Sequence, residues 1–198
     1  MGGRTMRKPE LLVPASSLEV LKTAVIFGAD AVYIGGEAFG LRAKAKNFSM
    51  EDMKEGIAFA HEHGVKVYVT ANILAHNRDL EGVEEYFREL KEVKPDALII
   101  ADPGVFEIAK RICPEIERHI STQANNTNYA TYHFWHTLGA KRVVSARELS
   151  MQEIELRKMA AGYRTEDIEQ ARATLNGAQA VYANAASNLR RVERLRRQ

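Results

Sequence analysis

Arg118-His119-Ile120-Ser121-Thr122-Gln123-Ala124-Asn125-Asn126-Thr127-Asn128 (RHISTQANNTN) starts as a short apolar strand and passes through a run of hydroxyl and amide side chains. It then enters a helical pattern at Asn128 or Tyr129. Apolar run, polar exit and helix together make the unit of a parallel strand-helix repeat, and in such folds ligands bind where the strands end. Thr122, Gln123, Asn125 and Asn126 are therefore expected at a strand exit and the start of its loop.

Reading outward, the same unit recurs six times, with apolar runs at 11–15, 31–34, 67–71, 97–101, 119–122 and 142–146. The runs are short, rich in β-branched residues and not strictly alternating, as strands buried on both faces are. Spacings of about 20 to 35 residues leave room for a helical crossover each time. Ser16 or Ser17 can cap the first helix, Ser49 with Asp52 and Ser150 with Glu153 read as capping boxes, and Pro103 suits a first helical position after Asp102. Gly28, Gly64 and Gly139 follow helical patterns and precede strands, where a left-handed residue ends a helix.

Repeated βα units fit either a TIM-type barrel or a doubly wound sheet. The latter usually carries a Gly-rich phosphate turn after its first strand, whereas this turn reads Pro14-Ala15-Ser16-Ser17. The expected fold is an α/β incomplete TIM-like (β/α) barrel of about six units, since a full barrel has eight and runs to about 250 residues. Two strand edges would stand open unless something covers them. From Tyr163 onward the composition turns Ala-, Gln- and Arg-rich, with apolar residues at three- and four-residue steps from Ile168 to Leu195. That pattern predicts an amphipathic helix, or a hairpin broken at Asn176-Gly177. The expected domains are a partial barrel over 1–158 and a helical, coiled-coil-like tail over 159–198.

Composition excludes several function classes. The chain has 198 residues, 45% hydrophobic and 27% charged, with a formal net charge of +2, so an RNA partner has to be argued from local basic clusters. Cys113 is its one cysteine, which rules out an internal disulfide framework and any multi-cysteine metal or iron-sulfur site built from this chain alone. No signal peptide is read at the start, and no run approaches the roughly twenty apolar residues of a membrane span, so the cytoplasm is the expected location.

Reading the residue at or just after each strand yields Ser16, Glu37, Asn72, Asp102, Gln123 and the pair Arg147-Glu148. All are polar while the strand bodies are apolar, a pattern suited to one shared binding face. Ser16 and Asp102 can equally be helix caps and Asn72 a loop residue. After the second strand, the segment 35–48 carries Arg42, Lys44 and Lys46 between Phe39 and Phe48. It is either a grip for a phosphate backbone and a stacked base or a solvated basic loop. The terminal 190–197 run is likewise a solvated helix end or an RNA-binding arm. No metal site is assigned: His133 and His136 can share a helical face but lack an HExxH pattern and an acidic third ligand, and His61 and His63 point different ways. Ser121 and Thr122 lie near a strand exit without a nucleophile elbow, and Cys113 reads as a half-buried structural thiol.

PELLVPASSLEVLKTA, GADAVYIGGEAFGLRAKAKNFS, GVKVYVTANI, DALIIADPGVF, HISTQANNTN and RVVSARELS, in this order over about 9–154, resemble the N-terminal part of the U32 peptidase family, also called collagenase-like proteases. The resemblance implies a TIM-like barrel. It also implies a task either in oxygen-independent hydroxylation of tRNA, ribosomal RNA or a quinone precursor, with an iron-sulfur cluster on cysteines, or in peptide cleavage. The family-like polar residues are Glu37, Arg42, Asn47, Asn72, Asp102, Thr122, Gln123, Asn126, Arg147 and Glu148. In the RNA reading Arg42, Lys44 and Lys46 hold phosphates, Asn47, Asn72, Thr122, Gln123, Asn126, Arg147 and Glu148 contact substrate, and Glu37 or Asp102 accepts a proton. The family's cysteine motif lies downstream of ARELS and is absent here, so no cofactor is expected in this chain. Either a second subunit supplies the missing part or the chain is a truncated member. Residues 162–198 resemble instead the α-hairpin of HlyD-type membrane fusion proteins, which keeps open a third, non-enzymatic reading as a scaffold or self-associating coiled coil.

Overall fold

The computed structural model describes residues 9–36, 39 and 47–153. The chain divides into two units, Met1–Ala146 and Arg147–Gln198. In the first, strands β1 (Leu12–Ala15), β2 (Ala31–Gly35), β3 (Lys66–Ala71), β4 (Ala97–Ile100), β5 (Glu117–Ile120) and β6 (Arg142–Val143) alternate with helices α1 (Leu18–Ile26), α2 (Met50–Glu62), α3 (Val83–Val93), α4 (Pro103–Ile112) and α5 (Tyr129–Leu138). The strands form one sheet in the order β1-β2-β3-β4-β5-β6, each neighbour parallel to the last. Right-handed crossovers that always step to the next strand place every helix on the same face. A doubly wound sheet reverses its order; this one does not, and the incomplete TIM-like barrel follows. Among the described residues β1 and β6 each have a single strand neighbour.

Strand alternation builds two cores. Val32, Ile34, Val67, Val69, Leu98, Ile100 and Ile120 face the helices and pack with Leu21, Phe87, Leu90 and Phe106. Ala31, Tyr68, Ala97 and Ile99 form a smaller cluster on the other face, with Leu12 and Tyr33 against it. At about 25 cal/mol per Å² of apolar area removed from water, the larger layer supplies most of the driving force.

The cap signals operate as read. Ser17, Ser49 and Asp102 accept the N–H of Val20, Asp52 and Val105, and Asn128 accepts that of Thr131. Gly28, Gly64 and Gly139 have φ of 92°, 71° and 99°, which only glycine adopts without strain. Helix α3 was not signalled, because its N-cap is Gly82, which offers no side-chain bond.

Two strand ends differ from the sequence reading. The strand expected at 119–122 lies at Glu117–Ile120, because Ser121 caps a 3-10 turn at Thr122–Ala124 and takes those residues out of the ladder. The strand expected at 142–146 spans only Arg142–Val143: Val144 N still reaches Ile120 O at 2.9 Å, but the Val144 carbonyl and the Ala146 N–H turn to Asn126 and the ladder stops there. Cys113, expected half-buried, is fully buried. In the second unit Ser150 and Glu153 form the reciprocal capping box. The 158/159 junction and the helical tail lie outside the described residues.

Candidate functional site

In a parallel sheet every strand leaves on one rim, so the exits of β1 to β5 bring Ser16, Asn47, Asn72, Asp102 and the 121–126 turn to the same end of the unit. Side chains two apart on a strand share a face. On β3 the inward row runs Tyr68, Thr70, Asn72; on β5 it runs His119, Ser121. Tyr68 and His119 meet edge to face at 4.8 Å on the inner side, which fixes the parity of both rows. Asn72 Nδ2 accordingly donates to Ser121 Oγ at 3.4 Å, bridging β3 and β5 across β4. Gln123 N donates to the same oxygen at 3.3 Å. Ser121 is 4% exposed.

Asn126 is fully buried and works as a staple. Its Nδ2 donates to the carbonyls of Ser121 and Val144, both at 2.9 Å, while its own carbonyl accepts from Ala146 N at 3.1 Å. Its Oδ1 is buried without a hydrogen-bond partner. Tyr132 Oη donates toward Asn126 O at 3.3 Å and pairs with Ser145 Oγ at 2.8 Å, so the β5 and β6 exits are tied as one piece. Asn126 thus holds the loop rather than presenting both its amide hydrogens to a ligand.

On the neighbouring exit, Thr70 Oγ1 donates to Ile34 O at 3.2 Å. A methyl built on Gly35 would stand 3.4 Å from both Asn47 Oδ1 and Thr70 Oγ1, so these two polar groups flank Gly35 at the mouth. Phe48 is anchored there by its N–H on Gly35 O at 3.0 Å. Asp102 places Oδ1 3.0 Å from Val105 N and caps α4. Thr122 is half-buried and Gln123 exposed on the 3-10 turn. Glu37, Arg42, Lys44 and Lys46 lie outside the described residues. Arg147 and Glu148 belong to the second unit.

Ser121 is the residue that motif reading passed over in favour of its neighbours. Step-two parity from His119 carries the signal, and only the Tyr68–His119 contact shows which parity faces inward. As a nucleophile it has no histidine partner: its hydroxyl faces the Asn72 amide and Gln123 N–H.

Cys113 does not fit an iron-sulfur ligand. It ends α4 at the far end from the strand exits, its Sγ donates to Ala109 O at 3.3 Å, and burial pushes the thiol up to about 11. A cluster takes several thiolates, and this sequence has one cysteine. Among the described residues no group of three or more His, Cys, Asp or Glu side chains could hold a metal ion, and no helix is long and apolar enough to cross a membrane.

Known proteins share this architecture. A solved U32 peptidase structure superposes with a TM-score of 0.62 at 14% identity, covering 81% of this chain and 68% of the other, which speaks for the fold alone. The tRNA hydroxylation protein P1 of Bacillus subtilis (strain 168) is 48% identical over 148 residues, 75% of this chain and 35% of that protein. The tRNA hydroxylation protein P of Helicobacter pylori (strain ATCC 700392 / 26695) is 47% identical over 155 residues, 77% of this chain and 37% of that protein. The chain therefore spans about a third of the length of these curated relatives. The family model for peptidase family U32 matches residues 16–169. With most of its length matched and its barrel built as the motifs imply, the chain belongs to peptidase family U32.

Proposed function

We propose that the chain is the substrate-holding barrel part of an RNA-hydroxylation protein acting on tRNA or ribosomal RNA. The observation that carries this reading is the Asn72–Ser121 contact: neutral hydrogen-bonding groups from two strands converge on the mouth, the equipment suited to the edge of an unstacked base. The naming of the curated relatives for tRNA hydroxylation supports the same class. In this reading Arg42, Lys44 and Lys46 hold phosphates. Asn47, Asn72, Thr122, Gln123, Arg147 and Glu148 contact the substrate, and Asn126 acts through the loop it ties. Glu37 or Asp102 accepts a proton, Asp102 keeping Oδ1 on its helix cap. Redox chemistry falls to an iron-sulfur cluster on cysteines outside this chain. The open β1 and β6 edges offer a second subunit or further strands a place to complete the barrel. The cytoplasm is the compartment that such a substrate requires.

Fluorescence anisotropy with labelled tRNA and the full chain tests the proposal. Binding should weaken steeply with salt, and the combined Arg42→Ala, Lys44→Ala and Lys46→Ala substitutions should make the log-log slope shallower by up to about 3. Absence of tRNA binding at low salt would sink the RNA reading. Cleavage of gelatin by the pure protein, lost in Thr122→Ala or Asp102→Ala, would favour a peptidase instead.

A further inference from the structure

The rim at the strand entrances, opposite the candidate site, carries an exposed apolar group. Phe27, the C-cap of α1, is 85% exposed, with Ile26 at 68% and Leu11 at 53%. The Leu11 carbonyl accepts Asp30 N and Ala31 N at 3.0 and 3.1 Å, which holds the start of β1 beside the turn that follows Phe27. Cap geometry does not ask for an aromatic here: α2 and α3 place His63 and Lys94 at the same position. Single exposed apolar residues need no explanation, but a cluster beside a recess does. The recess, about 570 Å³, opens at Gly28, next in sequence to Phe27, over the buried side chains of Val25, Ala29 and Val65. Lys66 stands on its wall. Neither Lys66 nor the nearby exposed Glu62 has an ion-pair partner among the described residues, so the patch keeps one unpaired charge of each sign.

We propose that this rim is the contact surface for a second copy of the chain, Phe27 of each copy entering the recess of the other. A twofold contact presses one patch against itself, so the patch has to contain its own complement. This one holds a projecting ring beside an apolar-floored hollow, and a cation beside an anion. A different partner would not need both members of each pair on one surface. The contact leaves the strand exits of both copies open and does not depend on the RNA reading. Because the apolar group is small, the association is reversible and falls in the micromolar range.

Sedimentation velocity of the full chain over a concentration series tests this. The wild type should pass from monomer to dimer in the micromolar range. Phe27→Ser, in protein shown folded by circular dichroism, should raise the dissociation constant at least about tenfold. Lys66→Glu should also weaken the dimer, and adding Glu62→Lys, which exchanges the two signs in both copies, should recover most of the loss. Leu74→Ser removes an apolar side chain of 62% exposure at the strand-exit end and should leave association unchanged. A wild type that stays monomeric throughout, a dimer indifferent to Phe27→Ser, a charge exchange no better than Lys66→Glu alone, or an equal loss in Leu74→Ser would overturn the assignment.

Discussion

Glu10 and Arg142, 132 positions apart in the chain, meet at 2.6 Å between Oε1 and Nη1, with Nη2 on Oε2 at 3.3 Å. Tyr68 Oη donates to the same carboxylate at 3.1 and 3.0 Å, and the Arg142 guanidinium lies 5.4 Å from the Tyr68 ring centre. The approach to β1, the middle of β3 and the start of β6 are thus joined inside the curled sheet, at the end opposite the candidate site. This clasp should hold the six strands curved without covering their free edges. Glu10→Ala and Arg142→Ala should each cost about 1 kcal/mol, a value discounted because both side chains are partly solvated. A urea double-mutant cycle should show the two losses to be non-additive.

The clasp also has a pH signature. The hydrogen bond from Arg142, aided by Tyr68 and opposed by burial, holds the Glu10 carboxyl below its ordinary value. A lowered carboxylate stabilises the fold fully above its unfolded pKa, near about 4.3, and that contribution is lost as pH falls through the folded value. Glu10→Gln should therefore flatten the acid limb of the stability curve below about pH 4.

His119 should act in the neighbouring window. Burial pushes its imidazole below the ordinary value, the Glu117 carboxylate opposing at 3.2 Å, with Tyr68, Arg142 and Glu10 the other titratable groups around it. The unfolded chain binds the proton more readily, so this stability is complete above about pH 6.5 and falls away toward the folded pKa. NMR titration of the His119 ring should give a midpoint below about 6.5, and His119→Phe should remove this part of the pH dependence.

Gly36 and Tyr86 should show coupled stabilities. A methyl on Gly36 would collide with Tyr86 Oη and lie 2.7 Å from Met53 Cε, so Gly36→Ala should destabilise by about 1–3 kcal/mol. The Tyr86 hydroxyl is buried without a hydrogen-bond partner. Tyr86→Phe alone should be neutral or stabilising by about 1 kcal/mol, and in the Gly36→Ala background it should restore much of the loss, as read by thermal melts.

Asn126→Ala removes two buried donors at once, leaving the Val144 carbonyl without its donor and the Ser121 carbonyl with Ala124 N alone at 3.1 Å. The expected cost is about 2–3 kcal/mol. Asn126→Asp should do no better, because a carboxylate would face those same carbonyls. Hydrogen exchange at Val144 N, bonded to Ile120 O at 2.9 Å, should speed up more than exchange in β2 or β3.

Much of this was legible in the residues. The repeated apolar run, polar exit and cap showed the βα units, and Ser17, Ser49, Asp102, Asn128 and Gly139 marked helix ends through local hydrogen bonds and local φ. Such signals act within about one turn of the chain, which is why a single sequence reports them. The site was legible only as a set of strand exits: Asn72 stood out as the residue after β3, whereas the Asn126 bonds that tie the loop and the inward turn of Ser121 depend on contacts between strands.

The amino-acid sequence by itself determined the alternation of strands and helices, the end of the sheet where polar groups collect, and the want of thiolates for a cluster, because each follows from local pattern or composition. Tertiary structure alone decided that Glu10 reaches Arg142, that Ser121 turns inward beside Asn72, and where β5 and β6 stop pairing. Those outcomes depend on sheet curvature and on which face of each strand meets the helices, and both are set by packing among segments far apart in the chain.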